Sequence, residues 1–336
     1  MEFCCENIWL NIVIFAVGTW ILVKGSDIFI DSAAALARLW HVSELVIGLT
    51  LVSIGTSLPE LATSLYASFC GESDFIVGNI VGSNIANIAL ILGIGIVGAG
   101  RLQFSRPILT RDVPLMLGIF LVTLLLFEVT SVPGKNGSMI PGINWIGGVI
   151  LLIGCILYIL LLLKNGAVED EQEDTEPDTR KPWVHFLLVI AGLVMVIAGS
   201  KAMVDTVIYG AEQLKIDTMI ISATVVAFGT SVPELAVTVT GILKKRYDIA
   251  VGNIVGSCIF NILLIFGACA LVSPLGINSF TGYINGYIML VTGALLIGFM
   301  AIRKKELLRW QGICFLIFYL IFVGFNFRDV FCKIFG

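Results

Sequence analysis

Long apolar runs alternate with short polar breaks along almost the whole chain. An apolar run of about 18 or more residues reads as a membrane span. Ten such spans fit, near 8–37, 42–69, 74–99, 107–131, 141–164, 183–212, 217–243, 247–272, 280–302 and 307–327. The pattern predicts an all-α membrane protein of ten transmembrane helices. One extended polar break runs from Lys164 to Pro182 and carries Glu169, Asp170, Glu171, Glu173, Asp174, Glu176 and Asp178. Its carboxylates lack the spacing of an EF-hand loop, so it reads as a solvated hinge. The chain divides into a first half, 1–164, a linker, 165–182, and a second half, 183–336.

Composition agrees with the pattern. Of the 336 residues 58% are hydrophobic and only 13% charged, about half the roughly 25% usual in soluble domains. No basic stripe with interleaved aromatics exists, which excludes a nucleic-acid partner. The eight cysteines show no metal-ligand spacing, and most lie in apolar runs where cysteine acts as a small hydrophobe. Neither disulfides nor a metal cluster are expected. The first apolar run follows Glu2 and Glu6 and lacks a small-x-small cleavage site, so it reads as a retained helix.

Charge placement sets the orientation. Fourteen of the twenty lysines and arginines fall in the loops on one side and four on the other, with Lys24 and Lys201 inside spans. The positive side is cytoplasmic. Both termini are therefore expected outside and the acidic linker inside, in a multi-pass protein of the plasma (inner) membrane. No obligatory protein partner is evident; the lipid bilayer is the expected surrounding.

The halves match at a fixed offset of 174 residues. Gly55-Thr56-Ser57-Leu58-Pro59-Glu60-Leu61-Ala62 returns as Gly229-Thr230-Ser231-Val232-Pro233-Glu234-Leu235-Ala236. Val77 to Ser83 returns unchanged as Val251 to Ser257, and Asn87-Ile88 as Asn261-Ile262. Five spans per unit is an odd number, so the second unit enters the membrane inverted. Secondary transporters share this architecture and place their sites near the midplane where the repeats meet.

The repeated blocks carry the candidate chemistry. Pro59 and Pro233 remove a helical donor and clash with the carbonyl four residues back, so both spans should break mid-membrane. Freed carbonyls are tolerated there only where they line an enclosed or wet cavity. A carboxylate follows each proline, and burying one in a span costs roughly 2.5–3.5 kcal/mol. Glu60 and Glu234, with no lysine or arginine in either motif, call for a cation. Oxygen-only surroundings suit calcium or sodium. Thr56, Ser57, Thr230 and Ser231 stand on the turns before the glutamates. Ser83 and Asn87 are spaced i, i+4, as are Ser257 and Asn261, which stacks each pair on one helical face. Together with freed carbonyls these groups can supply the six to eight oxygens that calcium takes.

The paired blocks Gly-Thr-Ser-Leu/Val-Pro-Glu and Gly-Asn-Ile-Val-Gly-Ser-x-x-x-Asn resemble the alpha-repeats of the cation/calcium exchanger superfamily, and its prokaryotic sodium/calcium branch in particular. The resemblance implies a calcium:sodium antiporter with no resident cofactor and no enzymatic activity, its transported ions being Ca2+ and Na+. It implies that Glu60 and Glu234 hold calcium, helped by Asn87 and Asn261. It implies that Thr56, Ser57, Ser83, Thr230, Ser231 and Ser257, with carbonyls, hold sodium. One departure stands out: many relatives carry aspartate where this chain has Asn261. A proton/calcium or potassium-dependent cation antiporter on the same fold is the alternative. Proton-coupled relatives typically show Gly-Asn-Ala-x-Glu instead of Gly-Thr-Ser-x-Pro-Glu.

Other charges point elsewhere. Lys24 with Asp27, and Lys201 with Asp205, have helical spacing for local pairing, and Asp31 is expected to anchor an interface. Glu128 is expected to be solvated, and His41 and His185 to lie at span ends as interface residues.

Overall fold

The computed structural model describes residues 8–40, 42–133, 139–165, 181–213, 231–277, 280–303 and 306–335. The first helix, α1, is Ile8–Leu39. Helices α2, Glu44–Thr56, and α3, Leu58–Phe69, meet at a bend of 47°. Then come α4, Ser73–Ala99, and α5, Ile108–Val129, followed by α6, Trp145–Asn165, and α7, Pro182–Gln213. The second half continues with α8, Val232–Leu243, and α9, Tyr247–Val272. It ends with α10, Phe280–Ile302, and α11, Arg309–Phe335. Among the described residues eight helices are long and apolar enough to cross a membrane, and the bent pair α2–α3 makes a ninth. The predicted span 217–243 is represented by α8, since residues 214–230 lie outside the described residues, as does the linker from 166 to 180.

Two helices form the centre. Along their spans α4 and α9 are 78% and 83% buried, against a third or less for the other long helices. Their buried faces carry Ile76, Ile80, Ile85, Ile88, Ile254, Ile259 and Ile262 together with Ser83, Asn84, Asn87, Asn253, Ser257 and Asn261. The lipid-facing residues elsewhere are apolar and exposed, as on α6 with Ile153, Ile156, Leu157 and Leu160. Such a surface is stable only against hydrocarbon.

At the periphery α1 and α7 pack along each other. Glycines permit that close approach. A Cβ on Gly25 would stand 2.6 Å from Met195 Cβ, and one on Gly192 would stand 2.8 Å from the Phe29 backbone nitrogen. Small residues at crossings are the usual means by which membrane helices come together. Lys244, at the end of α8, ties α1 to the rest through ion pairs with Asp31 at 2.7 Å and Asp27 at 3.2 Å. The local pairs form as well, Lys24–Asp27 at 3.9 Å and Lys201–Asp205 at 3.1 Å.

The expectation of a purely helical chain is corrected in the loops. Strand β1, Arg101–Gln103, pairs antiparallel with β5, Glu306–Leu308. Beyond the other end of α5, β2, Ser131–Pro133, pairs with β3, Met139–Ile143, and β3 with β4, Leu275–Gly276. Backbone groups that leave a helix need partners, and these short ladders supply them between segments distant in sequence. His185 stands at the start of α7, at a span end as expected, and is buried, at 2% exposure. His41 lies outside the described residues. The Glu128 carboxylate is exposed and accepts a hydrogen bond from the Tyr287 hydroxyl at 3.1 Å.

Candidate ion-binding site

The bend between α2 and α3 falls at Ser57, whose backbone sits at φ −83°, ψ 7°. Ser231 takes nearly the same conformation, φ −91°, ψ 3°, directly before α8. At Ser57 this sparsely populated region ends one helix and starts another. Pro59 and Pro233 occupy the first turns of α3 and α8, where a missing N–H costs nothing. The carbonyl of Gly55 cannot receive the N–H that proline lacks. Sequence thus dictates the break at Ser57, and both glutamates stand in the first turn of the helix that bears them.

The central helices carry their polar groups at a second irregularity. Within α4 the segment Ala86–Leu92 is a π-helix, and within α9 the segment Asn261–Phe266 is another. Asn87 and Asn261 stand at the start of these wider turns. Such bulges re-aim side chains and recur at functional positions. Helix α3, bearing Glu60, packs on the π segment of Asn261, while α8, bearing Glu234, packs on the π segment of Asn87. Each glutamate-bearing helix thus packs on the central helix of the opposite half.

Thr56, Ser57, Glu60, Ser83, Asn87, Ser231, Glu234, Ser257 and Asn261 are all buried, none more than 4% exposed. Thr230 lies outside the described residues. Hydrogen bonds join the halves here. The Ser57 hydroxyl donates to Glu234 Oε1 at 3.1 Å, and the Ser83 and Ser231 hydroxyls share a bond at 3.1 Å. The Thr56 hydroxyl donates to Asn253 Oδ1 at 3.0 Å, and Asn261 Nδ2 donates to Asn84 Oδ1 at 3.0 Å. Several polar atoms remain buried without a hydrogen-bond partner: Glu234 Oε2, Ser257 Oγ, Asn261 Oδ1 and both side-chain polar atoms of Asn87. Leaving such atoms unmet costs about 1–3 kcal/mol each. A cation that accepts oxygen ligands would remove most of that cost. Among the described residues no group of three or more His, Cys, Asp or Glu is clustered, so the oxygens on offer come from hydroxyls, amides and two carboxylates.

Residues 10–164 and 184–328 match the family model described as sodium/calcium exchanger protein. The chain belongs to the sodium/calcium exchanger family. The sodium/calcium exchanger MaX1 of Methanosarcina acetivorans is 33% identical, over 94% of this chain and 98% of the relative. The inner membrane protein YrbG of Escherichia coli is 34% identical, over 79% of this chain and 81% of its own. Among solved structures, that of the sodium-calcium exchanger NCX_Mj soaked with Na+ superimposes with a TM-score of 0.81 at 31% identity, covering 95% of this chain and 99% of the other.

For a member of the exchanger family, the sequence reading left out a set of supporting residues. Asn253 is fully buried, and its Nδ2 donates to the Thr238 hydroxyl at 3.0 Å and to the Glu234 carbonyl at 3.4 Å. The matching Asn79 donates to the Ser64 hydroxyl at 3.5 Å. A signal for this pair exists in the sequence. Asn79, Ser83 and Asn87 are spaced i, i+4, i+8, as are Asn253, Ser257 and Asn261, and both stripes lie in the repeated blocks. Asn84 carries no such signal, because Cys258 stands at its repeat position.

Proposed function

We propose that this chain exchanges calcium for sodium across the plasma membrane by alternating access, with Glu60 and Glu234 as its principal ligands. Asn87, Asn261, Thr56, Ser57, Ser83, Thr230, Ser231 and Ser257 complete the oxygen set. The observation that carries this reading is the hydrogen bond from Ser57 of one motif to Glu234 of the other, at 3.1 Å in a fully buried setting. Two repeated carboxylate motifs that meet inside the membrane form a place for a hard divalent cation, which prefers several oxygen ligands. Calcium and sodium are cargo in this reading, and no resident cofactor or partner protein is needed.

Ten spans in two inverted units, 1–164 and 183–336, fit the repeat and the observed helices. Two units of opposite orientation can take opposite asymmetric shapes and expose one central site to each side in turn. Ion competition couples the fluxes: either calcium or sodium neutralises the glutamates, and an empty site crosses poorly because its carboxylates are unshielded. The lysine and arginine bias of the loops supports an orientation with both termini outside and the acidic linker in the cytoplasm.

Radioactive calcium uptake into proteoliposomes tests the reading. An outward sodium gradient should drive uptake, whereas a potassium or proton gradient of equal size should not, and Glu60→Gln should reduce uptake to background. Uptake indifferent to sodium, or undiminished in the variant, overturns it.

A further inference from the structure

Asn84 follows Ser83 on α4 and belongs to none of the ligand positions above. Its side chain is fully buried. Its Nδ2 donates to the Cys258 backbone carbonyl at 3.4 Å and lies 3.5 Å from Met289 Sδ. Its Oδ1 accepts from Asn261 Nδ2 at 3.0 Å.

Donor and acceptor polarity then fixes both amides. A backbone carbonyl and a thioether can only accept, so Asn84 must turn its NH2 toward them. Its oxygen is left facing Asn261, which must answer with its own NH2. The oxygen of Asn261 therefore points away from Asn84, and that atom is buried without a hydrogen-bond partner. An asparagine serves a cation only through its oxygen, because an NH2 turned to the ion repels it. The Cys258 carbonyl is thus the fixed end of a relay that decides which atom of Asn261 is presented.

The other half lacks this relay. Cys258 stands where the repeat would place a second Asn84. A thiol is only a weak donor and acceptor, and this one donates to the Asn84 backbone carbonyl at 3.8 Å. The matching site amide, Asn87, has this thiol beside it, a far weaker partner than an amide. One amide of the pair is held by a strong partner and the other by a weak one.

We propose that Asn84 is a positioning residue that locks Asn261 with its amide oxygen toward the ion, so that the two halves of the site are chemically unequal. This rests on the exchanger reading above. It also gives asparagine at position 261 a physical basis: aspartate there would meet the Asn84 oxygen with another oxygen, and the relay would have to reverse.

Calcium titration of the purified full-length chain in detergent, by calorimetry, tests the assignment without relying on transport. Supporting partners of metal ligands typically contribute about 10–100-fold in affinity. Asn84→Leu should weaken calcium binding by about that factor, and Asn261→Ala should do the same. The double variant should bind no more weakly than Asn261→Ala alone. Asn84→Asp keeps an acceptor toward Asn261, so Asn261→Ala should still weaken binding in that background, which serves if Asn84→Leu does not fold. Native affinity in Asn84→Leu overturns the proposal. So does a loss of equal size in the native and Asn261→Ala backgrounds, which would mark a packing role. So does a full loss of Asn261 dependence in Asn84→Asp. Failure of the native chain to bind calcium would strike the exchanger reading itself, whereas native binding with Asn84→Leu unaffected removes this proposal alone.

Discussion

At the scale of single residues, the site rests on hydroxyls that serve groups from the other half. Ser57 is the clearest case, because its hydroxyl donates to Glu234 Oε1 at 3.1 Å, while Oε2 has no hydrogen-bond partner. A bond to a charged acceptor contributes about 1.5–3 kcal/mol, so its loss should be felt in binding. Ser57→Ala should raise the calcium concentration for half-maximal exchange by about tenfold, the equivalent of ~1.4 kcal/mol. Calcium exchange measured over a range of calcium concentrations checks this. An unchanged half-saturation point would mean that Ser57 does not orient the carboxylate. The proline-glutamate pairs were legible in the sequence because a buried carboxylate beside a helix breaker is costly on its own. Asn84 was not legible, since its meaning depends on a carbonyl 174 positions away.

At the scale of elements, the break between α2 and α3 follows from residues within a few positions, and the nearly equal backbone angles at Ser57 and Ser231 reflect that local origin. The π segments of α4 and α9 are different, for no glycine or proline lies within either one. Packing between α9 and α2 depends on Gly256. A Cβ added there would stand 2.1 Å from Ser53 Oγ and 2.7 Å from the Leu49 carbonyl oxygen, and backbone cannot yield cheaply. Overpacking typically costs about 1–3 kcal/mol. Gly256→Ala should therefore lower the thermal midpoint of the detergent-solubilised protein. Gly298→Ala, where a Cβ meets open space, should leave the midpoint unchanged or raise it slightly, as alanine is the better helix former by about 0.5–1 kcal/mol. Equal midpoints for both variants would refute the close approach.

Across the whole molecule, the two halves are joined at three levels. Buried hydrogen bonds link them at the centre. The β1–β5 ladder links them beyond one end of α5, and the β3–β4 ladder beyond the other. The Lys244 ion pairs tie α1 to α8, but their groups are partly exposed; pairs of that kind contribute little, typically ~0–1 kcal/mol. The proposed orientation makes a prediction at this scale. A single cysteine introduced in the linker, as Thr175→Cys on a background with the native cysteines replaced, should react with a membrane-impermeant maleimide only in inverted vesicles. Labelling of right-side-out vesicles would reverse the assignment of sides.

Taken by itself, the sequence determined the membrane class, the approximate spans, the duplication and the identity of nearly every candidate ligand. Those properties are local: hydropathy reports the solvent around a segment, and proline, glycine and a buried carboxylate act on their own neighbours. Only the tertiary structure decided that Ser57 faces Glu234, that Ser83 meets Ser231 and that Asn84 holds Asn261. It also decided where loops become strands and where the central helices widen. Those outcomes depend on which surfaces of distant segments fit together, and a chain's periodicity carries no record of that fit.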